Sequence, residues 1–358
     1  MKDTTAESED DTQEERGPVD CRTSPHLHSE KASEMLHDHN YGKTHPSPEL
    51  NSEQFFLQRF QFEPEVILFY TGFKDYGSLK AFFLALQPTP ETIWKWSHAV
   101  KLNAPENAAH AGLQAQHLCL FDQLFLFLCS VRRGFLPFDV SKQFQVSEVT
   151  VQTTCVTWCH YLFFMLGTLP IWPSRRTVDE LMPLIFRRTF PKTRVVLDFI
   201  EISVQMAPWT ANASQHRGST ALKSVVGITP SGSISLISSV YAASISDKDI
   251  VMKSGVLNLL EPGDEVMAAK SLEIKDLLDA IAAHLVIPPF SRPNRQFSQD
   301  SATHTPHADL LKVHIDKALG RIKEFHILDD VPAALSGSVH QLLTVCALLA
   351  NFQGPLPS

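Results

Sequence analysis

The sequence predicts an α/β fold on three observations. Residues 194–204, 222–230 and 233–243 are Val- and Ile-rich runs of the kind that fills strands. Thr229-Pro230-Ser231-Gly232 separates the second run from the third, with Pro and Gly where a turn favours them. Residues 247–260 then carry Ile250, Val251, Val256, Leu257 and Leu260 behind Asp247, which suits a helix with an acid at its N-terminus. Residues 264–270, DEVMAAK, read as a short buried strand. The expected core is a three-strand meander, a helix and a fourth strand, with Asp198 in the middle of the first strand.

The 358 residues carry net charge −8 and are 44% hydrophobic, enough for a sizeable core and more than one domain. The charge is uneven. Residues 1–50 hold 12 acids against 5 Lys/Arg, a net −7, and the other 308 hold 27 against 26, a net −1. The body is therefore not the strongly basic surface of a chain that lives on a phosphate backbone. Residues 1–52 are expected to be a disordered acidic tail, in which His26, His28, His37, His39 and His45 are solvated. No apolar run follows Met1, so no signal peptide is expected.

Residues 53–110 read as a helical lead-in and connector. Phe55, Phe56, Phe60, Phe62, Phe69, Tyr70 and Phe73 are packing residues, and Pro88, Pro90 and Pro105 mark 86–110 as irregular. Residues 111–170 form a helical unit. LQAQHLCLFDQLFLFLCSVRRG is an apolar helix ending at Gly134, with Arg132 and Arg133 where cations favour the dipole. FLPFDVSKQFQ is a second helix, and Ser147 caps a third. Helix, short turn and capped helix is the outline of a helix-turn-helix. Its last helix offers Thr150, Gln152, Thr153 and Thr154 for base reading, but no Lys or Arg between 147 and 168. The apolar runs 124–131 and 161–172 are too short to span a membrane, which takes about 20 residues. Cys155 and Cys159 lie a helical turn apart, but no second ligand pair follows, so they read as small buried residues rather than a zinc site.

Residues 171–193 are a linker with Arg175, Arg176, Arg187, Arg188 and Lys192. Residues 286–309 are a Pro-rich loop. Residues 308–325 form a helix with Lys312, Lys317, Arg321 and Lys323, on which Lys312 and Asp316 stand at i, i+4, the spacing of a surface ion pair. Residues 336–351 close the core as another helix.

Residues 194–357 resemble the DDE superfamily endonuclease domain of Harbinger-type transposases. The likeness is carried by VVLDFIEI at 195–202, by Ser214, Arg217 and Lys223, and by VGITPSGSISLIS at 226–238. SISDKDI at 244–250, EPGDEVMAAKSLEI at 261–274, PPF at 288–290, VHIDKALGRIKEFHIL at 313–328 and LLANFQGPL at 348–356 follow in order. Upstream, FYTGFKDY at 69–76 and IWPSRRTVDELMP at 171–183 extend it to about residues 65–357. The resemblance implies an RNase H-like fold, preceded by a helix-turn-helix-like unit. It also implies three carboxylates holding two divalent cations, Mg²⁺ or Mn²⁺, for phosphodiester cleavage.

Onto this chain the first acid maps to Asp198 and the third to Asp316. The second falls on Ala269, beside Lys270, in a motif that has drifted throughout. A methyl group cannot ligate a metal, so the cutting site is expected to be disabled unless Glu201, Asp247 or Glu273 substitutes. The resemblance then implies weak DNA contact through Arg187, Arg188, Arg217, Lys223, Lys312, Lys317, Arg321 and Lys323. It also points to a protein partner or homo-oligomer, no membrane, and a nuclear location. The rival expectations are a working endonuclease using Asp198, Asp316 and a substitute acid, and a decayed copy with no function of its own.

Overall fold

The computed structural model describes residues 55–101, 118–205, 219–268, 272–287, 305–354 and 356. The tail at 1–52, Cys21, Ser214, Arg217, Ala269, Lys270, Ser271 and the PPF motif lie outside them.

Ahead of the sheet run α1 (Pro64–Thr71), α2 (Tyr76–Leu86), α3 (Pro90–Lys101), α4 (Leu120–Arg133), α5 (Pro137–Phe144), α6 (Glu148–Gly167), α7 (Arg175–Leu181) and α8 (Leu184–Thr189). Helix α3 replaces much of the expected connector. Pro90 is its first residue, where a missing N–H costs nothing, and Thr89 and Thr92 exchange side-chain-to-backbone hydrogen bonds across its start. Helix α4 stops at Gly134, whose φ of 62° closes the last turn. Ser147 accepts a hydrogen bond from the Thr150 N–H at 3.1 Å, the cap its position predicts.

The sheet is mixed. Strands β1 (Thr193–Gln205), β2 (Ser219–Ile228) and β3 (Ile234–Ile237) form the antiparallel meander, and β4 (Tyr241–Ala242) also pairs with β2. The expected third strand is thus broken at Ser238, whose hydroxyl accepts from the Val225 N–H and pulls the chain out of the ladder. Helix α9 (Asp247–Lys253) is shorter than the expected 247–260, because Gly255 enters left-handed backbone at φ 81° and a separate turn, Val256–Asn258, follows. Strand β5 (Glu265–Ala268) returns parallel to β1, and α10 (Lys275–Asp279) leads to β6 (His284–Val286), parallel to β5. The order is β3-β2-β1-β5-β6. Helices α11 (Thr305–Lys323) and α12 (Val339–Ala350) end the fold.

Each sheet face has its own apolar cluster. Val196, Ile200, Ile202, Val226 and Met267 share one with α11, α12 and the helical unit. Val195, Leu197, Phe199, Val225 and Val266 share the other with α9 and α10. The first cluster runs from Leu57 to Ala350 without a break at the linker. Helix α6 lies at its centre, packed on α3, α4, α5 and α12. Ala333–Gln353 is one helical stretch long and apolar enough to cross a membrane, but most of it is buried in this core.

Candidate functional site

Strand alternation decides which acids meet. Residues 196–205 of β1 pair with β2 without a bulge, so side chains point alternately to opposite faces. Asp198 takes the face of Val196 and Ile200, opposite Val226, and is half-buried. Its Oδ1 accepts from the Phe199 N–H at 2.8 Å. Strand β5 runs alongside in parallel, and its last described residue, Ala268, pairs with Leu197, one residue short of Asp198. Ala269 comes next in the sequence.

Glu201 stands three residues along β1 and therefore on the opposite face, directly across from Lys223. Asp247 belongs to that side as well. It forms an ion pair at 2.6 Å with Lys223, whose ammonium also lies over the Phe199 ring at 5.5 Å. Glu273 is exposed between Leu272 and Ile274, both buried in the cluster of that same face. Glu201 and Asp247 are thus tied to the side of the sheet away from Asp198.

Helix α11 is on the Asp198 side, with Leu311, Ile315, Ala318 and Ile322 inward. Asp316 is exposed and, among the described residues, forms no ion pair with Lys312, so the expected i, i+4 pair is not made. His314 is held 2.8 Å from the Pro230 carbonyl in the β2–β3 turn, with its ring edge toward Phe186. Burial lowers its pKa. Among the described residues, no three His, Cys, Asp or Glu side chains come together to hold a metal ion. The described donors do not by themselves make a two-cation site.

The basic candidates divide. Lys223 is buried in its pair with Asp247. Arg187 donates to the Asp179 and Glu180 carbonyls at 3.1 and 2.9 Å, closing the end of α7. Arg321 donates to the Gly354 carbonyl at 2.7 Å. Arg188, Lys312, Lys317 and Lys323 are exposed, the first on α8 and the others on α11, which pack together. In the helical unit, Thr150 and Thr154 of α6 are buried, leaving Gln152 and part of Thr153 open beside Glu148.

One charged cluster escaped the sequence reading. Asp264, just before β5, is buried between Arg175 at 3.3 Å and Arg194 at 3.5 Å. Arg175 also donates to the Lys192 and Pro191 carbonyls, and Arg194 to the Pro173 carbonyl at 2.7 Å while lying over Trp172. Burial lowers the Arg194 pKa, and Asp264 opposes that shift. The cluster ties the linker to the starts of β1 and β5. The signal for it was a charge flanking each apolar run, Arg194 before VVLDF and Asp264 before EVMA.

Residues 197–351 match the model of a family described as DDE superfamily endonuclease. The match runs from β1 to the end of α12, and the mixed sheet with its helices is compatible with a domain of that kind. No curated protein sequence matches the chain.

Proposed function

We propose that the chain is a Harbinger-type, transposase-derived protein with an RNase H-like domain whose cutting site is incomplete, and that it works by binding DNA or a protein partner. The observation that carries this reading is the division of acids between the sheet faces. Asp198 has Ala269 where the family has its second acid, while Glu201 and Asp247 are directed to the other side. A divalent cation, the family's cofactor, would meet Ala269 where the family supplies its second carboxylate, and losing even an outer-shell group costs about 10–100-fold in affinity or activity.

The test is calorimetric titration of Mn²⁺ into the wild type, Asp198→Ala and Ala269→Asp. This reading expects no binding by the wild type and a gain in Ala269→Asp. Binding by the wild type that Asp198→Ala abolishes would instead support the rival reading, a nuclease completed by another acid.

DNA contact is assigned to Arg188, Lys312 and Lys323, exposed cations on packed helices, with Lys317 beside them. A nuclear location and self-association belong to the same reading. A gel-shift titration across salt should give a slope that falls when these cations are replaced by Gln. Undetectable binding at low salt would remove the DNA half and leave the protein-binding half.

A further inference from the structure

We infer that the stretch following α12 is a latch that holds helix α11 against the β2–β3 turn, with Leu356 as its positioning residue. The chain leaves α12 through the short helical turn Asn351–Gln353, and Gly354 then takes φ 82° and ψ −176°, a backbone region open in practice to Gly alone. That bend lets neighbouring residues reach four different partners. Asn351 meets edge strand β3 as another strand would, accepting from the Ile234 N–H at 2.8 Å and donating to the Ile234 carbonyl at 3.0 Å. Phe352 lies edge-on to Phe82 of α2, with ring centres 4.9 Å apart. The Gly354 carbonyl accepts from Arg321 of α11. Leu356 covers Gly232 in the β2–β3 turn.

The fit at Gly232 singles out Leu356. Gly232 has φ 91°, and a Cβ on it would stand 2.1 Å from the Leu356 Cδ1 and 3.8 Å from the Ala318 Cβ of α11. Leu356 therefore fills the space beside the turn where α11 lies against it. On the same face of α11, one turn earlier, His314 is bonded to the Pro230 carbonyl at 2.8 Å. The helix thus meets the turn through His314 and Ala318, and the latch closes on that contact. Its hold is light, one half-buried Leu and one hydrogen bond to Arg321, so it belongs among the parts of a fold that open locally. By helical spacing, Lys312 and Lys323 project from the side of α11 away from the turn, and a closed latch fixes where they point. That consequence rests on the DNA contact proposed above, whereas the latch itself does not.

The test is amide hydrogen exchange on the full chain, wild type beside Leu356→Ala and Leu356→Met. Met refills the space at Gly232 and Ala leaves it open. Peptides from 311–323 and 229–234 should exchange about tenfold faster in Leu356→Ala, the mark of easier local opening. They should return toward the wild-type rate in Leu356→Met, with peptides from β1 and β5 unchanged throughout. A gel shift on the same proteins should show weaker DNA binding by Leu356→Ala and recovery in Leu356→Met. Unchanged exchange at α11 would overturn the latch, and so would a rise shared by β1 and β5, which is a general loss of stability. Faster exchange at α11 with equal DNA affinity would overturn its effect on the cations. If the wild type binds no DNA, the DNA reading falls and the exchange result alone decides the latch.

Discussion

At the scale of single residues, close packing and burial make two predictions. Gly227 faces both sheet neighbours. A Cβ there would stand 2.8 Å from the Leu236 Cβ and 2.9 Å from the Val195 Cγ2. Gly227→Ala should therefore cost about 1–3 kcal/mol by overpacking, measured as a lower urea midpoint with an unchanged slope. Three histidines, His160, His314 and His340, have pKa values lowered by burial from the ordinary 6.5. The fold prefers their neutral forms, so their contribution is fully present above about pH 6.5 and is lost as the pH falls through the depressed folded values. His160, bonded to Ser338 at 3.0 Å, and His340, with no acceptor at Nδ1, lie where α6 meets the last segments. Urea midpoints should fall from pH 7.5 to 5.5, and less steeply in His160→Gln. An equal fall in that variant would exclude His160 from the effect.

At the scale of elements, the charged cluster around Asp264 sets how the linker meets the sheet. Replacing Asp264 by Asn leaves two arginines, one of them 2% exposed, without their shared carboxylate. Removing one partner of a buried pair costs about 3–5 kcal/mol, so Asp264→Asn should lower thermal stability strongly. Arg176→Gln, at an exposed pair with Glu180, should change it little. Comparable losses from both would mean that the cluster is no more than another surface pair. The same scale shows what local reading captured. The meander, the cap at Ser147 and the stop at Gly134 were legible because turns and caps are written in a few neighbouring residues. Helix α3 was not, because three prolines suggested an irregular path when one of them was the first residue of a helix.

At the scale of the whole molecule, one apolar cluster joins the helical unit to the Asp198 face of the sheet. Trp158, fully buried on α6, is far in sequence from the strands, yet its loss should be felt there. Trp158→Ala should cost about 3–5 kcal/mol. Far-UV signal and tryptophan fluorescence, to which Trp172 at the linker beside Arg194 contributes, should then melt together. Two separated transitions would show that the helical unit and the sheet unfold independently.

The sequence by itself determined the order of the β1–β2–β3–α9–β5 core and the place of Asp198 in the first strand. These depend on residue type and short-range periodicity. It also held one answer that was not read from it: Glu201 lies three residues from Asp198, and in an unbroken strand an odd spacing means opposite faces. The tertiary structure alone decided that Asp247 is bound to Lys223, that Arg175 and Arg194 converge on Asp264, and that α6 buries Thr150 and Thr154. The physical reason is that a charge or a helix face acquires its role from what packs against it. That partner is chosen by strand register and layer packing across tens or hundreds of residues, not by the residues beside it in the chain.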